Sequence, residues 1–181
     1  MGSAASRVGS PVNGGPAWAG RIGPMGETTT VKLAGGVLMP RVGLGTWQLR
    51  GRQAYDAIRY ALDAGYRHID TATMYANEAE VGRAVRDSGL PRAEVFITTK
   101  LPSERAARAR QTLEASLDAL GVDAVDLWLI HWPTAARDLV PTWEALLAAR
   151  ADGLARSVGV SNFSIDQIDQ VTAATGQAPE V

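Results

Sequence analysis

A strand-like apolar segment alternates with a helical segment along the chain from residue 41 onward, and this alternation is the strongest constraint on the fold. The strand-like segments are RVGLGTW, YRHID, EVFITTK, AVDLWLIHW and RSVGVSNF. Between them, apolar residues recur at the three-to-four-residue spacing of an amphipathic helix. Strands that alternate with helices predict an α/β protein with a parallel sheet and right-handed crossovers.

Local signals set the expected boundaries of these segments. Helices are predicted over 52–64, 78–88 and 104–120, from Pro141 as a first-turn proline to Gly153, and from the capping box SIDQ at 164–167. TTVKL and VLMP flank Ala-Gly-Gly and predict an N-terminal β-hairpin. Residues 1–28 are rich in Gly, Pro, Ala and Ser and predict a disordered extension before one domain at 29–181.

Polar residues stand at the ends of the predicted strands at a constant interval. Asp70, Lys100, His131 and Ser161 are separated by 30, 31 and 30 residues, which is the length of one strand-helix unit. Because the carboxyl ends of parallel strands meet at one edge of a sheet, where ligands bind, we expect these side chains to share a site.

Each of these residues also has an ordinary structural interpretation when it is taken alone. An Asp, Ser or Asn after a strand is usually a turn former or helix cap, and a lone Lys usually ends a strand in solvent. A lone His is often hydrogen-bonded near the core, and Tyr75 alone is most simply a packing residue. The shared interval through four units favours a common site over independent decoration.

The chemistry available to this set is proton transfer to a carbonyl group. A phenol with a pKa of about 10 is a weak acid, and an adjacent ammonium is expected to lower that pKa. Lys100 supplies the ammonium for Tyr75, Asp70 holds it, and a neutral His131 orients the carbonyl. A hydride would have to come from a bound cofactor, although the chain has no G-x-G-x-x-G or P-loop motif.

Composition excludes several other classes of function. The net charge of -1 offers no electrostatic attraction for nucleic acid or an anionic membrane, and the absence of cysteine excludes thiol chemistry. No apolar run reaches the roughly 20 residues of a membrane helix, so we expect a cytoplasmic protein. No metal site is predicted, because His68, the only other histidine, forms no close-spaced pair.

Two long motifs resemble the aldo-keto reductase family over about Val31 to Val181. GYRHIDTATMYANEAEVG resembles the first signature of the family, and RSVGVSNF with Leu146 upstream resembles the second. The resemblance implies NADPH-dependent reduction of aldehydes and ketones on a parallel (β/α)8 TIM barrel. It also implies that Tyr75 donates the proton, that Lys100 and Asp70 tune it, and that His131 orients the small-molecule carbonyl substrate.

The same resemblance implies a set of residues around the cofactor and the substrate. Ser161 and Asn162 would bind the nicotinamide carboxamide, and Gly45, Thr46 and Asp70 would lie along NADPH, with NADH left open as the alternative. The implied substrate pocket consists of Trp47, Met74 and Trp132. Pro102 stands where relatives commonly carry a Trp after TTKL, so the identity of the substrate transfers less readily.

The resemblance covers about five βα units plus the hairpin, whereas a whole barrel takes about 250 residues. We therefore expect an incomplete barrel, in which an open sheet exposes its outermost strands and its inward apolar residues. These exposed surfaces would make this chain self-associate. The full-length parent is expected to be a monomer. Two alternatives stay open, namely a non-catalytic nucleotide-binding or regulatory subunit on the same fold and an inactive truncated fragment.

Overall fold

A hairpin, a parallel sheet and an outer layer of helices make up the computed structural model, which describes residues 29–181. The predicted disordered extension at 1–28 lies outside the described residues. The strands are β1 Thr30–Lys32, β2 Leu38–Pro40, β3 Leu44–Gly45, β4 His68–Asp70, β5 Phe96–Leu101, β6 Val125–Ile130 and β7 Ala155–Val160. The α-helices are α1 Gly51–Asp63, α2 Glu78–Asp87, α3 Ala109–Leu120, α4 Ala136–Ala151 and α5 Ile165–Thr175.

The parallel sheet follows the order of the chain. Its five strands are arranged β3-β4-β5-β6-β7, and the separate hairpin pairs β1 with β2 in antiparallel fashion. In this sheet β3 and β7 are the two outermost strands and do not pair with each other. The predicted α/β class and the incomplete (β/α)8 barrel are therefore confirmed.

The main core lies between the sheet and the helices. All six residues of β6 are buried, including Trp128, in agreement with the continuous apolar pattern of this segment. The four apolar residues predicted to share one face of α1 are all buried, namely Ala54, Ile58, Ala61 and Leu62. A strand that is apolar on both faces can be buried only between two layers, and the helices supply the outer one.

Two helix starts differ from the prediction, whereas a third agrees with it. The capping box at Ser164 and Gln167 is present at the start of α5. Helix α4 begins at Ala136, so Pro141 lies inside it rather than in its first turn. Because Pro141 has no backbone N–H, the carbonyl of Arg137, four residues earlier, has no helical hydrogen-bond donor. Arg137 lies in the exposed first turn, where water can bind this carbonyl. The predicted helix at 104–120 begins instead with a 3₁₀ stretch, Ser103–Arg108, before α3.

Part of the inward face of the sheet is covered, contrary to expectation. Leu127 and Leu129 are buried in a second cluster with Phe96, against which the hairpin packs Val37 and Met39. The prediction that incomplete closure exposes inward apolar residues is wrong for these positions, because the hairpin folds across them.

The edge of β7 is also partly paired with residues near the end of the described chain. Val160 N donates to Val181 O at 2.8 Å, and Glu180 N donates to Val158 O at 3.1 Å. The buried Glu180 carboxylate accepts from Ser157 Oγ at 3.2 Å and from Arg150 Nη1 at 3.0 Å. The expected row of unpaired backbone groups on this strand is therefore interrupted at Val158 and Val160.

Across residues 29–181, helices with the length and apolar character needed to cross a membrane are absent.

Candidate active site

The strand register brings three of the predicted residues to one edge of the sheet. Asp70 ends β4, Lys100 is the fifth residue of β5, and His131 follows β6 directly. The Lys100 ammonium forms an ion pair with the Asp70 carboxylate and donates to Thr71 O at 2.9 Å. Lys100 itself is buried, whereas the Asp70 carboxylate reaches solvent, so the pair lies at the boundary between the protein interior and the open side of the site.

Tyr75 reaches the same place from the turn that follows β4. It ends the 3₁₀ turn Thr73–Tyr75, and its ring centroid lies 5.3 Å from Lys100 Nζ. The ring meets the His131 ring edge to face, with 5.6 Å between centroids and an interplanar angle of 76°. The structure thus brings together all four residues that were predicted to be catalytic.

The pKa values of the site differ in part from those expected. Burial raises the pKa of Tyr75 above its usual value, and the negative charge of Asp70 raises it further. The expected net lowering of this pKa is therefore not found, although Lys100 Nζ lies 5.3 Å from the ring centroid. Burial, followed by the Lys100 charge, lowers the pKa of His131, which keeps the imidazole neutral at neutral pH as expected.

Ser161 and Asn162 follow β7 at the same edge. Asn162 adopts a left-handed backbone with φ 64°, and its Nδ2 donates to His131 O at 2.8 Å and to Ser161 Oγ at 2.9 Å. These contacts leave the Asn162 side-chain oxygen as an acceptor and the Ser161 hydroxyl hydrogen as a donor. Such a pair fits a carboxamide, which carries an N–H donor and a carbonyl acceptor.

Gly45 and Thr46 lie at the end of β3, the strand next to the one that carries Asp70. Gly45 pairs with Asp70 in the sheet, and a methyl group added at Gly45 would meet no atom within 4 Å. Open space therefore adjoins the backbone here. Thr46 is fully buried, and its N donates to Asp70 O at 2.9 Å.

The three residues predicted to line a substrate pocket lie beside this site but remain exposed. Trp47 is 68% exposed, Met74 54% and Trp132 53%. Trp132 follows His131 in the chain, and Met74 precedes Tyr75. We call these three exposed apolar side chains the apolar rim of the site.

Asn77 is a residue of this site whose role the sequence did not indicate. Its position before α2 is that of a helix cap, yet its fully buried side chain makes no capping hydrogen bond. Instead its Nδ2 donates to Thr46 O and to Leu49 O, both at 2.9 Å, and its Oδ1 accepts from Thr71 Oγ1 at 2.7 Å. Asn77 thus links the β3–α1 loop to the residue whose carbonyl binds Lys100.

Glu78 is a second residue whose contacts the sequence did not indicate. Its buried carboxylate accepts from Thr99 Oγ1 at 2.6 Å and from Ser116 Oγ at 3.1 Å. Burial raises the pKa of Glu78, and the two hydroxyl donors act in the opposite direction. The signal that could have found it is the acidic residue within an otherwise apolar inward helix face.

Comparison with known proteins assigns the chain to a family. The model of the family described as Aldo/keto reductase family matches residues 41–179. The chain belongs to the aldo/keto reductase family. The match contains all four residues that converge around Lys100, together with Ser161 and Asn162, and it confirms the resemblance found in the sequence.

Among similar aldo/keto reductases, methylglyoxal reductase DkgA of Salmonella typhimurium is 41% identical over 158 residues, which cover 87% of this chain and 58% of the relative. Morphine 6-dehydrogenase of Pseudomonas putida is 44% identical over 162 residues, covering 86% of this chain and 54% of the relative. The chain therefore spans a little over half the length of these curated relatives.

Solved structures of the family are similar in backbone as well as in sequence. An aldo/keto reductase from Brucella melitensis matches with a TM-score of 0.82 at 42% identity, covering 86% of this chain and 62% of that one. A Bombyx mori aldo-keto reductase in complex with NADP matches with a TM-score of 0.78 at 35% identity, covering 85% of this chain and 57% of that one.

Proposed function

We propose that this aldo/keto reductase chain carries the proton-donating site for NADPH-dependent reduction of aldehydes and ketones to alcohols. The observation that carries the proposal is the convergence of Tyr75, Lys100, Asp70 and His131 at one edge of the sheet. This set combines a proton donor, a buried cation with its counter-ion, and a neutral imidazole. Such a combination suits a reaction in which negative charge develops on a carbonyl oxygen.

Tyr75 is the proton donor in this mechanism. The phenol is protonated at neutral pH and has a proton to give, because the usual pKa of a tyrosine is about 10 and burial raises it further. The carbonyl oxygen becomes basic as it gains charge, and the proton passes to it from Tyr75 Oη. The Lys100 ammonium, 5.3 Å from the ring centroid, stabilises the phenolate that remains until it regains a proton from water.

His131 and the apolar rim orient the substrate. A neutral imidazole can donate one N–H to the carbonyl oxygen without supplying a competing proton. Trp47, Met74 and Trp132 offer exposed apolar surface for the rest of the substrate. Two similar relatives are named for methylglyoxal and for morphine, which differ greatly in size, so we propose carbonyl compounds as a class.

Ser161 and Asn162 would hold the carboxamide of a nicotinamide cofactor, and Gly45, Thr46 and Asp70 would lie along its length. When bound, the cofactor supplies the hydride. The free donor on Ser161, the free acceptor on Asn162 and the open space at Gly45 support this assignment. The NADP bound to the Bombyx mori relative supports NADPH over NADH.

Tyr75→Phe tests the proposal, because it removes the donated proton and keeps the ring. We expect carbonyl reduction by the 181-residue chain to fall at least about 100-fold, while NADPH binding by fluorescence titration changes little. Tyr66→Phe is the matched control, since Tyr66 is a half-buried tyrosine that precedes β4. Undiminished turnover in Tyr75→Phe would refute the role of Tyr75.

The same two measurements on the wild-type chain, carbonyl reduction and NADPH titration, separate the alternatives. Turnover with NADPH supports the proposal. Binding of NADPH without turnover would overturn it in favour of a non-catalytic subunit. If NADPH neither bound nor turned over, the chain would be an inactive fragment.

A further inference from the structure

Glu78 is a buried carboxylate that the proposed chemistry does not use. It lies in the layer between the sheet and the helices, and both of its hydrogen bonds come from neutral hydroxyl groups. Burying an ionisable group is costly, and burial raises the pKa of Glu78 although its two hydroxyl donors and the charge of Arg105 act in the opposite direction. Its two contacts lead to two different parts of the candidate site.

The first contact leads to the turn that carries Tyr75. Ser116 has a single hydroxyl hydrogen, which it donates to Glu78 Oε2, so its oxygen is available to accept. Thr73 Oγ1 lies 3.1 Å from that oxygen and is therefore the donor. The result is an ordered relay from Thr73 through Ser116 to Glu78. Thr73 begins the 3₁₀ turn that Tyr75 ends.

The second contact leads to the strand that carries Lys100. Thr99 precedes Lys100 in β5, and its side chain points to the helix side of the sheet, where it donates to Glu78 Oε1 at 2.6 Å. Neighbouring residues of a strand point to opposite faces, so Thr99 anchors the outer face while Lys100 enters the site. One carboxylate therefore connects the tyrosine turn with the lysine strand.

We propose that Glu78 is a positioning residue for Tyr75, and that the relay through Ser116 and Thr73 holds the phenol over Lys100 and beside His131. The inference rests on the proposed function, in which Tyr75 is the proton donor. The turn is short, and its next residue, Ala76, has a left-handed backbone with φ 54°, so local structure alone holds it weakly. A displacement of about 1 Å in such a site can reduce the rate about 100-fold.

A matched pair of substitutions at Thr73 tests the relay with little change in volume. Thr73→Val is isosteric and replaces the hydroxyl by a methyl group, whereas Thr73→Ser retains the hydroxyl. Glu78→Gln tests the centre of the relay, because one carboxylate oxygen becomes an N–H donor that faces a hydroxyl donor. Asp126→Asn is the control for lost stability. Asp126 is a buried carboxylate near the start of β6, at the strand ends opposite the candidate site.

Two readouts in the 181-residue chain follow the position of Tyr75. The first is steady-state kinetics, in which we expect Thr73→Val and Glu78→Gln to lower kcat at least about 10-fold with KM little changed. The second is NMR of ¹³C-labelled tyrosine rings, which requires no turnover. The chain has 4 tyrosines, and the Tyr75 signals are assigned by their loss in Tyr75→Phe.

We expect Thr73→Val and Glu78→Gln to shift or broaden the Tyr75 ring signals, Thr73→Ser to restore them, and Asp126→Asn to leave them in place. Unchanged Tyr75 signals in both Thr73→Val and Glu78→Gln would overturn the inference. So would equal changes in Asp126→Asn, because the effect would then be one of stability alone. Undiminished kcat in Tyr75→Phe would instead refute the proposed function, and the ring signals would still decide the role of Glu78.

Discussion

Ion pairs lie both where the parallel strands begin, here called the amino edge, and where they end, the carboxyl edge, but the two carboxylates are satisfied to different degrees. At the amino edge, Asp126 accepts from Arg92, from Arg156 and from the backbone N–H of Ile97, and its side chain is 4% exposed. At the carboxyl edge, the Asp70 side chain is paired with Lys100 and stays 36% exposed. A carboxylate with a full set of donors stabilises the fold, whereas one left partly open is available for chemistry.

Residues with a left-handed backbone also distinguish the carboxyl edge from the amino edge. The three non-glycine residues with positive φ in the described part of the chain are Gln48, Ala76 and Asn162, and each lies in the segment that follows β3, β4 or β7. A left-handed backbone costs about 1 to 2 kcal/mol for an ordinary L-residue. Strain of this kind clusters where a site needs a side chain in a set position. Among the described residues, backbone strain of this kind therefore lies at the carboxyl edge, together with the candidate site, and not at the amino edge.

The largest effect is expected from removing the amino-edge carboxylate. Asp126→Ala leaves Arg92 and the Ile97 N–H without their partner, so we expect the free energy of unfolding to fall by about 3 kcal/mol. Tyr75→Phe at the other edge should change it by less than about 0.5 kcal/mol. Urea unfolding at neutral pH measures both. A larger loss in Tyr75→Phe than in Asp126→Ala would reverse the comparison.

A smaller effect, of opposite sign, is expected from relieving strain at the carboxyl edge. Ala76 is exposed, with φ 54° and ψ 37°, so Ala76→Gly removes a steric cost and should raise the free energy of unfolding by about 0.5 to 1 kcal/mol. Ala64→Gly is the control, because Ala64 has a right-handed backbone with φ -76° and should lose stability instead. If both variants lost stability in urea, the strain attributed to Ala76 would be absent.

The smallest effect concerns the two histidines, which lie near opposite edges. Burial lowers the pKa of His68, near the hairpin, and of His131, at the site. The unfolded chain therefore takes up protons first as the pH falls through about 6.5, and stability present above that pH is lost. Urea midpoints between about pH 7.5 and 6 should fall in the wild type. The fall should be smaller in His68→Asn or His131→Asn and smallest in the double variant. Wild-type midpoints that rise as the pH falls would contradict this.

Much of the site could be predicted because it depends on two periodicities. The two-residue period of a strand and the roughly 30-residue period of the strand-helix unit place Asp70, Lys100, His131 and Ser161 on one edge without knowledge of any contact. The position of Tyr75 followed from its place just after a strand. The contacts of Glu78 could not be predicted in this way, since Thr99 and Ser116 lie 21 and 38 residues away and meet it only when α2 packs against β5 and α3.

By itself the sequence determined the order of strands and helices, the capping box of α5 and the shared edge of the candidate site, because each depends on short-range spacing. Tertiary structure decided the rest. Burial and the neighbouring Asp70 raised the pKa of Tyr75, and packing turned the Asn77 side chain inward instead of leaving it as a helix cap. The hairpin covered the inward leucines. These outcomes depend on desolvation and on contacts between distant segments, which local pattern does not encode.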